Sequence, residues 1–236
     1  MPSLRGHCEL DVPRGDPPAL AAGPSAERLV AALRARDPDA GRAYWALRAW
    51  ARLVWQPTYA SVLGVELAGG VVPLDGLRWQ VDADEADVSG FTLPASRFAR
   101  PLPGPDRALA ATQLRTLAAT LLASVQTQLP LHPKAARRLL ADCVLAALLR
   151  ARPLTRLTDE AMRALGAEWL ALLEATGDSG YLAYDTATGD SRLALDRGVC
   201  CLDDRRAGGE LCNTCPRLSR AERLRRLGAT DLRNSA

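Results

Sequence analysis

Apolar positions recur with a helical period through most of the chain. A first helix is predicted to start at Ser25, an N-cap residue with Glu27 in the first turn, and to stop before Pro38. A second covers about residues 41–55, where Leu47, Trp50 and Val54 fall on one face, and Pro57 ends or kinks it. Two long helices follow at about 106–129 and 133–151. The latter carries Leu139, Leu140, Cys143, Val144, Ala147 and Leu148 on one face. Thr158 caps a further helix, with Asp159 and Glu160 in its first turn, that ends near Gly177. A basic helix at 219–227 closes the chain.

Period-two patterning appears twice. Residues 71–74 and 77–81 flank Asp75-Gly76, a hairpin turn signal, and Leu77, Trp79 and Val81 alternate with Arg78 and Gln80. Pro73 makes the first of these an edge strand. The acidic stretch Asp82, Asp84, Glu85 and Asp87 reads as a solvated turn rather than a cation site. The second hairpin is Tyr181-Leu182-Ala183-Tyr184, a turn at Gly189, then Leu193-Ala194-Leu195. The fold class is therefore α+β, a mainly helical body with two small antiparallel hairpins. Pro2, Pro13, Pro17, Pro18 and Pro24 make residues 1–24 a loosely ordered arm. The body spans 25–196 and a C-terminal segment 197–236, with no internal repeat or low-complexity tract.

With 236 residues, 48% apolar and 24% charged, the composition excludes a disordered chain, a collagen-like fibre and a coiled-coil rod. The net charge of +3 is too mild to argue for nucleic-acid binding. Of the 30 basic residues only Lys134 is lysine, a bias of composition rather than of function. The longest apolar stretch, 139–149, is interrupted by Asp142, so no membrane span is expected. Arg5, Glu9, Asp11 and Arg14 exclude a signal-peptide core. The expected compartment is the cytosol, where thiols stay reduced.

The chemistry concentrates near the C-terminus. Cys200, Cys201, Cys212 and Cys215 form the pattern C-C-x10-C-x2-C. Clustered cysteines in a reduced compartment read first as a metal site. An iron–sulfur cluster takes four thiolates, and the Cys212-x-x-Cys215 turn can place two sulfurs on one iron. Cys200 and Cys201 point apart on an extended backbone, but a local bend aims both at a second iron. Gly208 and Gly209 let backbone amides approach the sulfurs, and Pro216 fixes the exit of the turn. A Cys₄ zinc site and a disulfide pair remain alternatives, although zinc sites normally use two C-x₂-C knuckles and here one pair is vicinal.

The run Arg197-Gly198-Val199-Cys200-Cys201-Leu202, then Gly208-Gly209, then Cys212-Asn213-Thr214-Cys215-Pro216, resembles the C-terminal signature of the FhuF-like ferric-siderophore reductases. The resemblance covers about residues 197–216, and the cysteine spacing matches throughout. Asp203-Asp204 departs from it, where family members often carry an aromatic or basic residue. The resemblance implies a [2Fe–2S] cluster on Cys200, Cys201, Cys212 and Cys215, and one-electron reduction of Fe(III) held by a siderophore, of hydroxamate type, in the cytosol. Fe(II) binds hard anionic oxygens more weakly than Fe(III), so one electron loosens such a chelate. The rival readings are a zinc-stabilised binding module and an iron–sulfur carrier or sensor that meets no siderophore.

From Arg197 onward there are nine Arg and five acids. Arg197, Arg205, Arg206 and Arg217 lie nearest the ligands in sequence, placed to stabilise a reduced anionic cluster or to steer an acidic donor; a solvated basic helix is the plainer reading. With no phosphate loop, dinucleotide fingerprint or nucleophile elbow, the electron is expected from another protein, a ferredoxin or flavoprotein. Peripheral membrane contact by the basic tail is left open. Elsewhere, Cys143 reads as a buried structural thiol, Cys8 as an exposed bystander and His132 as a loop residue. Trp45, Trp50 and Trp55 read as core or interface before any role in gripping a ligand.

Overall fold

Helix α2 (Arg42–Ala68) is the axis of the molecule, packed against α4 (Pro133–Thr155), α3 (Arg107–Gln126) and α1 (Ala22–Arg36). The computed structural model describes residues 6–8, 19–93, 106–186 and 189–234. The core is mainly helical, as the apolar periodicity predicts. Leu29, Trp50, Leu53, Leu114, Leu145 and Leu148 are buried where these helices meet. Fully burying such a side chain is worth about 1.5–3 kcal/mol.

α2 does not end at Pro57 but runs on to Ala68. A proline inside a helix has no N–H for the carbonyl four residues earlier. Here that carbonyl, of Leu53, accepts the Trp79 indole N–H at 2.8 Å. Trp79 lies on β2 (Arg78–Asp82) and is 1% exposed, so the sheet fills the gap that the proline opens. Gln56 adds a second tie, its Nε2 donating to the Val88 carbonyl at 2.8 Å.

The first hairpin is shifted from its expected place. β2 pairs antiparallel with β3 (Asp87–Leu93), and the acidic stretch forms the turn between them. Asp82 Oδ1 accepts the N–H groups of Asp84 and Glu85, each at 3.0 Å. Residues 71–74 are not a strand. The Asp75-Gly76 turn exists, but the Leu74 N–H is held by Gln113 Oε1 of α3 at 2.8 Å, not by a strand partner. The expected arm contributes β1 (Gly6–Cys8), parallel to β3, giving the order β1-β3-β2. The rest of the expectation for 1–18 lies outside the described residues.

The helix bounds also move. α1 starts three residues before Ser25, and Pro24 sits in its first turn, where a missing N–H costs nothing. Ser25 is buried, and its hydroxyl donates to the Leu20 carbonyl at 3.0 Å. Asp106 and Thr158 cap α3 and α5 (Asp159–Leu172), the latter ending before Gly177. α4 passes through Pro153 to Thr155. α3 is long and apolar enough by composition to cross a bilayer, but one face of it packs on α1, α2 and α5. The second hairpin, β4 (Gly180–Asp185) with β5 (Ser191–Asp196), stands where its pattern predicts. α6 (Arg220–Asn234) is longer than expected and packs on β4.

Candidate metal centre

β5 delivers the chain to the cysteine segment at Asp196, and a buried carboxylate receives it. Asp142, 3% exposed on α4, accepts the Ser179 hydroxyl at 2.6 Å, Arg197 Nε at 3.2 Å and the Gly198 N–H at 3.2 Å. Burial pushes this carboxyl up, while the Arg197 guanidinium and the hydrogen bonds of Ser179 and Gly198 oppose the rise. Gly198 is required by space, since a Cβ there would stand 1.7 Å from the Asp178 carbonyl oxygen. Asp178 is itself held by Arg137 and Arg138 of α4.

Past the first two cysteines the chain makes a single 3₁₀ turn, Asp203–Arg205. Arg48 of α2 pairs with Asp203 at 2.6 Å, Arg206 joins it at 3.1 Å, and Arg217 pairs with Asp204. The acidic pair that departs from the resemblance thus tethers the segment to α2 and to itself. Gly209 packs on this turn, where a Cβ would lie 1.9 Å from the Asp203 carbonyl oxygen. The Gly209 amide itself donates to the Arg206 carbonyl at 2.9 Å rather than to a sulfur. α6 covers the far side, with Asn213 Nδ2 donating to the Thr230 hydroxyl at 2.7 Å and Arg226 to the Leu211 carbonyl at 2.9 Å.

The four sulfurs come together in two pairs. Cys200 Sγ lies 3.5 Å from Cys215 Sγ, and Cys201 is hydrogen-bonded to Cys212. Sequence spacing suggests the other grouping, Cys212 with Cys215 and Cys200 with Cys201. Neighbouring side chains diverge, and the loop folds back so that each member of the vicinal pair meets one thiol of the C-x2-C turn. That turn is closed by the Cys215 N–H on the Cys212 carbonyl at 3.0 Å.

Polar groups surround the pairs. Arg197 Nη1 donates to Cys212 Sγ at 3.7 Å and the Leu202 N–H to Cys200 Sγ at 3.4 Å, and Arg217 also bonds Cys200. The hydrogen bond from Cys212 pulls the Cys201 thiol down to about 5, with Arg197 and Arg48 helping and burial opposing. The partner thiol of Cys212 is pushed up, because its proton is held in the same bond. Burial raises Cys200, against the Leu202 N–H. Within this pair Cys201 is the thiol shifted towards the anion and Cys212 the one that keeps the proton.

A cavity of about 410 Å³ lies in front of Cys201, walled by α2, α4 and the start of the cysteine segment. Of the four cysteines only Cys201 lines it. Trp55 and Tyr59 meet edge to face in its wall, centroids 5.7 Å apart, beside Cys143, whose thiol burial pushes up to about 12.

Residues 197–217 match the family described as FhuF 2Fe-2S C-terminal domain. The chain carries a FhuF-type iron–sulfur domain. No solved structure matches the chain. The cofactor of this domain is a [2Fe–2S] cluster, and the donor set fits it. Four thiols lie within 16 residues of loop and come together in two pairs; a [2Fe–2S] centre takes four thiolates, two on each iron.

The remaining predicted residues fall elsewhere. His132 caps α4, its Nδ1 accepting the Lys134 N–H at 3.1 Å. Trp50 is buried in the core and Trp45 donates to the Asp37 carbonyl at 2.9 Å, so only Trp55 of the three reaches the cavity. The side chain of Cys8 lies outside the described residues. Sequence reasoning missed Asp142 and Arg48. For Asp142 the signal was present, a charge in the middle of an apolar helix face.

Proposed function

We propose that this protein is a cytosolic ferric-siderophore reductase that takes single electrons from a ferredoxin or flavoprotein and reduces chelated Fe(III) to Fe(II), which the chelate releases. Cys200, Cys201, Cys212 and Cys215 hold the [2Fe–2S] cluster, residues 25–196 shape the substrate cleft and 197–236 carry the cluster. When bound, the cluster supplies one-electron chemistry. The observation that carries this reading is the cavity with Cys201 in its wall, which puts a ligand-sized space against the redox segment.

The chain's own residues do the positioning. Asp142 fixes Arg197, and Arg197 sets its guanidinium against Cys212. Arg48 and Asp203 hold the Cys201 turn on α2. The guanidinium groups of Arg197, Arg48 and Arg217 offset negative charge on the sulfurs, which increases on reduction.

An anaerobic visible spectrum tests the reading. Purified holoprotein is reduced with dithionite, desalted and given one equivalent of a ferric tris-hydroxamate. Absorption that bleaches and then returns with the chelate supports the reductase. Bleaching without return leaves a carrier or sensor, and a colourless protein with one zinc overturns the reading. Each of the four Cys→Ser variants is expected to lose or destabilise the cluster; a normal spectrum in all four removes them as ligands.

A further inference from the structure

The charges of the cysteine segment and of the helix that covers it are sorted by depth. Between Asp203 and Arg226, the side chains of Arg205, Arg206, Arg217, Arg220 and Arg225 are exposed, while Asp203, Asp204 and Glu222 are half-buried. Of the acids in this stretch only Glu210 is exposed. The ion pairs show how the sorting arises. Asp204 is 21% exposed and its partner Arg217 52%; Glu222 is 29% exposed and its partner Arg225 69%. Each carboxylate sits inside and its guanidinium faces out. Arg205 and Arg220 make no ion pair among the described residues. The surface is therefore more positive than the sequence of the stretch suggests.

This surface belongs to the sulfurs that the cavity does not reach. Arg205 follows Asp204 in the chain, Arg217 is bonded both to Asp204 and to Cys200, and Arg220 opens α6 three residues further on. The Arg217 side chain thus runs from solvent to a sulfur of the Cys200–Cys215 pair. Of the four cysteines the cavity takes only Cys201, from the other pair, and Arg205, Arg217 and Arg220 are not in its wall. A protein docked on these arginines leaves the cavity open. Two ferric ions, two sulfides and four thiolates sum to a dianion, which repels an acidic protein; exposed guanidinium groups over it reverse the sign and attract one. Electron tunnelling weakens exponentially with distance, so a donor protein has to dock close to the sulfurs. A nucleic acid or an anionic membrane also suits the charge, but neither gives a reason for the arginine surface to end on a cluster sulfur.

We propose that the exposed arginines Arg205, Arg217 and Arg220 form the docking surface for a small acidic electron-transfer protein, and that the electron enters on the Cys200–Cys215 side. The donor is oxidised by one electron and the four-cysteine centre receives it; no bond is made or broken. This rests on the reading above of a reductase fed by another protein, and adds to it the face of entry and the charge of the donor.

Stopped-flow mixing tests it. Holoprotein is mixed anaerobically with an acidic flavodoxin in its hydroquinone form, whose oxidation to the semiquinone is followed at long wavelength. The second-order rate is expected to fall roughly tenfold or more as salt rises from about 20 to about 500 mM. Arg205→Glu and Arg220→Glu are each expected to slow it roughly fivefold at low salt, and the double variant more than roughly tenfold. Arg217 is left alone because it bonds Cys200. The visible spectra of these variants, and their reduction by the small cation radical of methyl viologen, are expected to match wild type, which a damaged cluster site would not allow. Arg28→Glu reverses an exposed charge on α1, which packs on α2, α3 and β2, and is expected to leave the flavodoxin rate within about twofold. A rate that is independent of salt, unchanged by both reversals, or lowered as much by Arg28→Glu overturns the proposal. So does binding to anionic vesicles or duplex DNA through Arg205 and Arg220 with no effect of either residue on the flavodoxin rate. If flavodoxin reduces the protein with these dependences and ferric tris-hydroxamate does not reoxidise it, the docking surface stands and the reductase reading fails. If ferric tris-hydroxamate reoxidises protein reduced by methyl viologen while flavodoxin shows none of these dependences, the reductase stands and the docking surface fails.

Discussion

The helical core around α2 and the loop of residues 197–217 are held together by different means. In the core, Leu53, Val54, Leu114 and Val144 are fully buried and apolar contact supplies the stability. In the loop, Cys215 is the only buried residue, and the order comes from charged and polar ties: Arg197 to Asp142, Arg48 to Asp203, Arg217 to Asp204, and sulfur to sulfur. The core is complete without a cofactor. The loop brings its sulfurs together in two pairs; if they hold the cluster as proposed, the loop's rigidity depends on it.

The junction between the two regions should be the most sensitive place. Asp142→Ala leaves the Arg197 guanidinium without its carboxylate and is expected to cost about 3–5 kcal/mol in urea unfolding, with loss of the visible spectrum. Leu53→Ala, wholly within the core, is expected to cost about 2–5 kcal/mol equally in apo- and holoprotein, while the folded fraction keeps a normal spectrum. Spectral loss in that variant would dissolve the distinction between the regions. Trp79→Phe strands the Leu53 carbonyl and is expected to cost about 1–3 kcal/mol.

Two cysteines sharpen the contrast at no cost in stability. In apoprotein the Cys201 thiol, at about 5, is ionised above that pH and loses its charge as pH falls through it. Its iodoacetamide labelling should therefore be flat from about pH 8 to 6 and decline near pH 5. Cys143, at about 12, stays protonated over this range and should label far more slowly than Cys201. Peptide mapping gives both rates. Mild oxidation of apoprotein should join Cys200 to Cys215 and Cys201 to Cys212; a Cys212–Cys215 disulfide as the main product would refute the crosswise pairing.

Much of this was legible in the chain, for physical reasons that differ by region. Apolar periodicity located the helices, strand β2 and the second hairpin because burial follows side-chain direction, but it did not predict β3. It placed the end of α2 wrongly, since no local rule shows that Trp79 will serve the carbonyl that Pro57 leaves free. It misplaced the first β-strand for a similar cause, a side chain of α3 taking the Leu74 N–H. The cysteine pattern was readable from spacing, which left zinc and a disulfide open; the [2Fe–2S] cofactor followed from the resemblance of residues 197–216 to the FhuF-like reductases. The grouping of the sulfurs was not readable, because it depends on how the 3₁₀ turn at Asp203 folds the loop back onto Arg48. The cavity was invisible for the same reason: α2, α4 and the cysteine loop meet only in space.

The hydrogen bond from the Trp79 indole to the carbonyl that Pro57 leaves free has a consequence for descent. A lineage that replaced Pro57 would regain an amide at that position, which would compete for the Leu53 carbonyl and displace the indole. A lineage that replaced Trp79 would leave the carbonyl bare in the core. Neither position can drift alone without loss, so the two should be inherited together. Trp55 and Tyr59 sit on either side of Pro57, and the shape of the cavity wall would then be transmitted with that pair.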